Sequence, residues 1–446
     1  MHKFHNQRQR ILDLYGDSMQ SSQIRFGQRV RRVVFVVCSP RSGSSLLASI
    51  LRNTDQLLSF QGAVTPFLAL EDLRYPYSGD SDSLDASHLA LADDLNKHLE
   101  FECGTASDDL STESLVADFA EALTVRLGYQ WPEIAFCPGV VRSEVEIALR
   151  GLEIEHGWPK GRFVEPPLFH AVFLKGLINH YPSINPYFYD LDPELIAKII
   201  PHASTEAHSP RENFLEMPPL ILIRPWKRAT AQDLSDKIVV MKTVGNTFRL
   251  PFWKAFFPNA EFRIFHLTRS VAASVNGMYD GWHHRGFWCA RTLMDLNIPG
   301  YSDVYKEWGS RWWKFGLFPG WENYINAPVE EIAAAHWRAC HNTILDWLAS
   351  NPDQQNSAIR IHFEDVVGDS ITKEKTYQAI AEWFGIALDD SLKYARDNDM
   401  PLQLATVKPA PQRWKERSEL LAPVIADSRN RELMQKLGYS LDTSTW

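Results

Sequence analysis

The chain has 446 residues, of which 45% are hydrophobic and 12% aromatic, and this is ample apolar material for a packed core. Its 46 Lys and Arg residues against 55 Asp and Glu residues give a formal net charge of -9. This balance argues against bulk electrostatic binding of nucleic acid, which depends on neutralising many phosphates. Any anion site must therefore be local.

The cysteines and the N-terminal segment bear on the compartment. Five cysteines occur without a C-x-x-C pair, so the usual zinc and redox spacings are missing and reduced thiols are expected. Residues 1–16 are polar and basic without an apolar core, and no run approaches the roughly 18 apolar residues of a membrane span. We therefore predict a cytoplasmic protein with no metal site, no membrane partner and no nucleic-acid partner.

Four short apolar runs predict strands, and the first is followed by a loop and a helix. Val33–Val37 is a β-branched run, residues 40–45 form a polar loop, and residues 46–51 have helix-forming composition. The later runs are Lys237–Met241, Phe262–Leu267 and Ile359–Phe363. Because helical patterns separate the runs, we predict an α/β fold with a central, mostly parallel sheet and helices on its faces.

Residues from about 73 to 236 have no comparable strand-loop-helix signature. Leu115, Phe119, Leu123 and Leu127 repeat at helical spacing, and Asp192-Pro193-Glu194 looks like the capped, acidic start of another helix. We predict one domain over 1–446, with a core of 31–72 and 237–446 and a large, mainly helical insertion at about 73–236.

The loop between the first strand and helix has the chemistry of an anion cradle. Its donors are a guanidinium, serine hydroxyls and backbone amides beside a helix N-terminus. The residues concerned are Arg41, Ser42, Gly43, Ser44 and Ser45. The loop lacks the lysine of a Walker A motif, which weakens nucleoside-triphosphate hydrolysis. Taken alone, such a loop is more often an ordinary capped turn between a strand and a helix.

In its wider context this loop, read as P-R-S-G-S-S-L-L, resembles the 5′-phosphosulfate loop of bacterial-type sulfotransferases that use 3′-phosphoadenosine-5′-phosphosulfate (PAPS). The resemblance continues in order through Lys242-Thr243-Val244, the strand ending at Arg269, Phe363-Glu364-Asp365-Val366, and the closing segment from Gln412 to Tyr439. It implies a P-loop-type three-layer fold and transfer of a sulfuryl group from PAPS. The released nucleotide would be adenosine 3′,5′-bisphosphate (PAP).

The resemblance also implies roles for individual residues. The loop from Arg41 to Ser45 would hold the 5′-phosphosulfate, and Lys242 would stabilise charge on the bridging oxygen. Arg269 and Ser274 would hold the 3′-phosphate, although the serine that many family members place eight residues after this arginine is Gly277 here. Lys408 and Arg413 could close over the 3′-phosphate, or could be solvated cations of an exposed loop.

The general base is the main departure from the family pattern, because Val244 occupies the place of the usual histidine. The candidates for this role are Glu71, Glu165, His170, His283 and its neighbour His284. Each of them could instead be an ordinary structural or solvated residue.

Six of the fifteen tryptophans fall within residues 282–321, and they could border an acceptor pocket or form a small core under loops. The expected acceptor is a hydroxyl, or with less support an amine, of a small molecule or natural product, with specificity determined by the insertion. The alternatives are a small-molecule P-loop kinase, a non-catalytic protein that keeps the donor-binding fold, and sulfation that only activates a hydroxyl for elimination. The oligomeric state stays open.

Overall fold

The computed structural model describes residues 4–15, 24–203, 209–211 and 214–446. The remaining residues, which include the start of the basic N-terminal segment and parts of the predicted insertion, lie outside this description. The chain divides into two compact units. The first comprises Met1–Gln23, Phe60–Asp72 and Asp94–Ala229, and the second comprises Ile24–Ser59, Leu73–Asp93 and Thr230–Trp446.

The strands of the described residues are β1 (Arg32–Val37), β2 (Leu57–Phe60), β3 (Cys103–Ala106), β4 (Trp226–Arg228), β5 (Ile238–Lys242), β6 (Glu261–Thr268), β7 (Trp288–Arg291), β8 (Trp312–Lys314) and β9 (Ile359–His362). The α-helices are α1 (His5–Leu14), α2 (Phe26–Arg29), α3 (Ser44–Arg52), α4 (Thr65–Leu70), α5 (Leu95–Glu102), α6 (Glu113–Gln130), α7 (Pro138–Glu155), α8 (Pro166–His180), α9 (Pro193–Ile199), α10 (Ala231–Asp236), α11 (Leu250–Phe256), α12 (Val271–His283), α13 (Val329–Ser350), α14 (Pro352–Ser357), α15 (Phe363–Val366), α16 (Ser370–Phe384), α17 (Asp390–Asp397), α18 (Ser418–Ala426) and α19 (Ser428–Lys436). Shorter 3₁₀ turns include Val244–Phe248 and Arg413–Arg417.

The second unit is built on a parallel sheet with strand order β2-β5-β1-β6-β9. The register places Val36 of β1 opposite Lys242 of β5 and opposite Phe265 of β6. The central strand β1 is fully buried after its first residue, as expected for an apolar run covered on both faces. All four strands predicted from the sequence are confirmed.

Helices cover both faces of this sheet. On one face, side chains of α3, α16 and α17 pack with the sheet residues Val34, Val36, Val240 and Phe265. On the other face, the ring of Phe35 lies 5.8 Å from that of Trp253 in α11. Because successive strand residues point to opposite faces, the continuous apolar pattern of β1 supplies both layers. The predicted α/β fold with a central parallel sheet in three layers is confirmed.

The first unit is mainly helical. Helix α6 buries Phe119, Leu123 and Leu127 on the predicted face, and the Asp192 side chain caps α9 by accepting from the Glu194 amide. The sequence did not predict the short antiparallel pair β3 and β4, in which Gly104 approaches the backbone of Lys227 too closely for any Cβ. In the described part of the chain, we find no helix with the length and apolarity that a membrane span requires.

Candidate active site

The candidate site lies within the second unit, at the edge where parallel strands end. A loop follows β1, Lys242 is the last residue of β5, Arg269 follows β6 and Phe363 follows β9. Neighbouring strands lie about 4.8 Å apart and point the same way, so the residues that follow them meet at one edge. Candidates from distant parts of the sequence are thereby brought together.

The loop of residues 39–45 has the backbone of an anion cradle. Arg41 and Gly43 both adopt positive φ angles, of 62° and 84°. A Cβ built on Gly43 would lie 2.0 Å from the Phe363 ring, so only glycine fits this position without a shift. The first helical bond runs from the Leu47 amide to the Gly43 carbonyl, and the amides before it begin α3 without an intrahelical acceptor.

The four serines of this loop have different surroundings. The buried Ser42 hydroxyl donates to the Ser39 carbonyl at 2.6 Å and lies 2.8 Å from the Ser39 hydroxyl, so it braces the loop. The Ser44 side chain bonds the Cys38 thiol, whose pKa is raised by burial. The Ser45 hydroxyl accepts from the Lys242 ammonium at 3.1 Å. Ser45 therefore joins the loop to β5.

Lys242 is a cation in a partly buried place. Burial lowers the pKa of its ammonium to about 8, and repulsion from Arg52 and Arg41 acts in the same direction. Cys38 acts against this shift. At pH 7 the ammonium is thus mostly charged, and it stands among like charges next to the loop.

Arg269 connects the loop with the end of β6. Its Nη1 donates to the Arg41 carbonyl at 2.9 Å, and its guanidinium carbon lies 5.0 Å from the centre of the Phe363 ring. Burial lowers the pKa of Arg269, Glu364 and Tyr439 oppose that shift, and the nearby Arg413 adds to it. Arg413 is therefore near enough for its charge to repel that of Arg269.

The Arg41 side chain extends to a segment near the C-terminus. Its Nη1 donates to the Leu404 carbonyl at 2.8 Å and its Nη2 to the Thr406 hydroxyl at 3.2 Å. Its guanidinium carbon also lies 5.3 Å from the Phe287 ring centre. The sequence predicted Arg41 in the cradle, and the structure adds that this side chain bonds residues 404–406.

The two serines after Arg269 belong to the start of α12. Ser270 is the N-cap and accepts from the Ala273 amide at 3.4 Å. The buried Ser274 hydroxyl donates to the Arg269 carbonyl at 3.4 Å. Ser274 is therefore next to the backbone of Arg269, and its role toward a 3′-phosphate stays a prediction.

The two C-terminal cations differ from each other. Arg413 forms an ion pair with the buried carboxylate of Asp280 in α12. Lys408 is exposed in a segment between α17 and the 3₁₀ turn Arg413–Arg417, and this segment has no regular secondary structure. Of these two, Arg413 is the cation that the structure holds close to Arg269.

Among the candidates for the general base, His283 lies in the second unit as the last residue of α12. Its ring centre is 4.6 Å from that of Tyr279. Burial lowers its pKa, Lys314 and Arg417 lower it further, and Asp280 opposes them, so the surroundings favour the neutral imidazole. The adjacent His284 packs its ring 5.7 Å from that of Phe287.

The other base candidates lie in the first unit. Glu71 is buried between Arg8, whose Nη2 is 2.9 Å from Oε2, and His98, whose Nε2 is 3.3 Å from Oε1. Glu165 is exposed at the start of α8. His170 is buried with Nε2 at 2.7 Å from the Ile223 carbonyl, and burial lowers its pKa to about 4. Which residue acts as the base stays a prediction.

The tryptophan-rich region forms a small core. All six tryptophans are buried, namely Trp282, Trp288, Trp308, Trp312, Trp313 and Trp321. Strands β7 and β8 form an antiparallel pair here. The buried ammonium of Lys314 donates to the carbonyls of Gly281 and His284, where α12 ends, and lies 5.4 Å from the Trp288 ring centre. Burial on this scale favours the core interpretation over pocket walls.

The sequence did not single out two residues near the site, Asp280 and Arg417, and assigned no role to Phe363. Asp280 and Arg417 form an ion pair beside Arg413, and the Phe363 ring packs on both Gly43 and Arg269. The spacing of Asn276 and Asp280 marks one face of a helix, but nothing local says which residues dock on that face. In the described residues, no three His, Cys, Asp or Glu side chains are grouped as metal ligands.

Comparison with known proteins finds similarity among solved structures. A sulfotransferase domain from the curacin biosynthetic pathway is 11% identical, with 93% of this chain and 99% of that chain covered and a TM-score of 0.34. A sulfotransferase domain from the Synechococcus PCC 7002 olefin synthase is 12% identical, with 95% and 98% covered and a TM-score of 0.33. Sulfotransferase STF9 from Mycobacterium avium is 11% identical, with 98% and 82% covered and a TM-score of 0.35.

No protein-family model matches the chain, and no curated protein matches it in sequence. With identities and TM-scores this low, the three structures do not decide the function, which depends on the geometry of the site.

Proposed function

We propose that this chain is a sulfotransferase that moves a sulfuryl group from PAPS to a hydroxyl, or with less support an amine, of a small-molecule or natural-product acceptor. One observation carries the proposal: cations gather at two neighbouring places on one sheet edge. Lys242 donates to the Ser45 hydroxyl at 3.1 Å and is repelled by Arg41. Arg269 donates to the Arg41 carbonyl at 2.9 Å and is repelled by Arg413. An anion bound at each of these two groups of cations would relieve the repulsion between the cations of that group.

The two groups stand apart on one sheet edge, as a donor with two separate anionic groups requires. Lys242 ends β5 and Arg269 follows β6, the two strands that flank β1. Two interstrand steps, about 10 Å, separate these strands, and Arg269 lies four residues beyond Phe265, which is level with Lys242. The loop at Gly43 and the free amides that begin α3 would receive the 5′-phosphosulfate. Arg269 and Arg413 would receive the 3′-phosphate, and Ser274 would support Arg269 through its backbone.

The chemistry assigned to the chain is mainly electrostatic. The donor supplies an activated sulfuryl group, whose bond to the phosphate oxygen breaks as the acceptor oxygen bonds to sulfur. Lys242 would stabilise the charge that develops on that phosphate oxygen, and its bond to Ser45 orients the ammonium. The acceptor proton would pass to a base, for which His283, His170, Glu71 and Glu165 stay the candidates.

The remaining parts of the proposal concern the acceptor and the setting. We propose that acceptor specificity resides in the mainly helical part of residues 73–236 and that the whole chain works as one functional domain. We propose a cytoplasmic enzyme that acts on free small molecules without a nucleic-acid or membrane partner and without a metal.

Calorimetry with PAP and with ATP, followed by turnover of sulfur-labelled PAPS over a metabolite extract, tests this function. We expect PAP to bind, ATP to bind at least tenfold more weakly, and a labelled product to form. Arg41→Ala and Lys242→Ala should each lose most turnover. Lys254→Ala is the matched control, because the Lys254 ammonium is exposed and bonds Asn351 rather than a residue of the proposed site.

Each rival function predicts a different result. Tighter binding of ATP with transfer of phosphate would indicate a kinase. Binding of PAP without labelled product would indicate a non-catalytic protein, and a product that lacks the sulfate in mass spectra would indicate elimination. If Lys242→Ala or Arg41→Ala keeps the turnover of the wild type, the proposed site is wrong.

A further inference from the structure

Asp280 binds two arginines that come from a distant part of the sequence. Its Oδ2 forms an ion pair with Nη2 of Arg413, and its Oδ1 lies 2.7 Å from Nη2 of Arg417. Only 3% of the Asp280 side chain is exposed. A carboxylate this deeply buried is stable only when it is paired, and here both of its oxygens are occupied.

Two neighbours on α12 complete this contact. Nη1 of Arg417 donates to Oδ1 of Asn276 at 2.6 Å, and the Arg417 guanidinium carbon lies 5.1 Å from the centre of the Tyr279 ring. Asn276 and Asp280 are four residues apart, so they lie on the same face of the helix. This face of α12 therefore fastens the 3₁₀ turn Arg413–Arg417.

The contact holds Arg413 in the neighbourhood of Arg269. Arg269 donates to the Arg41 carbonyl at 2.9 Å, and a Cβ added to Gly277 of α12 would lie 3.1 Å from the Cβ of Arg41. Gly277 is about one helical turn before Asp280, so the Asp280 contact and Arg269 meet the same stretch of α12. Residues 398–412, which precede Arg413, have no regular secondary structure and supply no helix or strand to hold it. Without Asp280, Arg413 and Arg417 would also repel each other, because one carboxylate now separates two cations.

We propose that Asp280 is a positioning residue for the 3′-phosphate end of the donor. It holds the guanidinium of Arg413 beside that of Arg269, so that the two arginines meet the phosphate together. This inference rests on the proposed function, because it assumes a donor that carries a 3′-phosphate. Asp280 itself would not touch the donor.

The test compares two nucleotides that differ only in the 3′-phosphate. Calorimetry would measure binding of PAP and of adenosine 5′-monophosphate (AMP) to the wild type and to Asp280→Asn. We expect PAP to bind about tenfold more weakly to the variant, as for the loss of a charged hydrogen bond, and AMP to change less than about twofold. A merely structural defect would weaken both nucleotides equally, and that result would overturn the inference.

Two further variants distinguish an effect that Asp280 exerts through Arg413 from a general structural defect. Arg413→Met should weaken the binding of PAP and leave the binding of AMP unchanged. If Asp280 acts through Arg413, adding Asp280→Asn to Arg413→Met should cause no further loss of PAP affinity. Asp427→Asn is the matched control, because Asp427 pairs with Arg429 at the start of α19 and should leave both affinities unchanged. An additive double variant would contradict the inference.

The outcomes distinguish this inference from the proposed function. A wild type that binds PAP no better than AMP would refute the proposed function itself. A wild type that prefers PAP, together with an Asp280→Asn variant that keeps this preference, would refute only the role of Asp280. If Asp280→Asn does not fold, Asp280→Glu replaces it, and the displaced carboxylate should weaken PAP about threefold without weakening AMP.

Discussion

The charge state of Lys242 depends on its surroundings. Burial, with repulsion from Arg52 and Arg41, lowers the pKa of its ammonium to about 8. The charged form therefore predominates at pH 7 and is lost as the pH rises through 8. A role that needs the positive charge must weaken over the same interval.

We predict that kcat/KM for PAPS falls tenfold for each pH unit above about 8 in the wild type, because this ratio reports groups of the free enzyme. Lys242→Arg is the control, since a guanidinium stays charged over the whole range. Its activity should be lower at pH 7 but should not fall between pH 8 and 9. Parallel profiles for the two proteins would contradict a role for the Lys242 charge.

At the scale of elements, the loop after β1 and the start of α15 are joined by one close contact. The Phe363 ring lies against Gly43, and the same ring lies under the Arg269 guanidinium. The ends of β1, β6 and β9 thus share a single aromatic side chain. Any side chain at position 43 would separate them.

We predict that Gly43→Ala lowers the free energy of unfolding by about 2–4 kcal/mol, from backbone strain together with overpacking. Gly385→Ala isolates the strain, because Gly385 has a φ of 71° with no atom within 4 Å of an added Cβ, and it should cost about 1 kcal/mol. Urea denaturation measures both. In a Phe363→Ala background, the cost of Gly43→Ala should fall to that of Gly385→Ala, and a cost that stays the same would exclude the ring contact.

The sequence predicts these elements well and their contacts poorly. The apolar run Val33–Val37 and the polar loop after it are local patterns, and β1 and α3 follow them within two residues. The direction of the Arg41 side chain and the pairing of Asp280 with Arg413 depend on residues more than 100 positions away. No local pattern carries that information, so the loop and Lys242 were predictable as candidates and Asp280 was not.

At the scale of the whole molecule, each unit has its own stabilising core. In the first unit, the buried guanidinium of Arg126 lies 2.6 Å from Glu102 and 3.0 Å from Glu216. Burial raises the pKa of Glu102, and Arg126 opposes that shift. The stability of this unit therefore depends on one cation between two carboxylates.

We predict that Arg126→Met lowers the free energy of unfolding by about 3–5 kcal/mol at pH 7, because two buried carboxylates lose their counter-ion. The deficit should shrink as the pH falls toward 5, because the raised pKa of Glu102 lets that carboxylate take up a proton and lose its charge. Arg142→Met is the matched control, since its pairs with Glu113 and Glu146 are solvent-exposed and should contribute far less to stability. Urea denaturation at both pH values measures the difference, and equal losses would exclude a special role for the buried group.

The parallel register of β5, β1 and β6 fixes distances across the second unit. Backbone hydrogen bonds, which do not depend on side-chain identity, determine how far Lys242 stands from Arg269. One inserted residue within β6 would turn every following side chain to the opposite face, Arg269 included. Insertions in the connecting loops would leave the register of the strands unchanged. The chain can therefore vary widely between its strands and still keep its cations at the same separation.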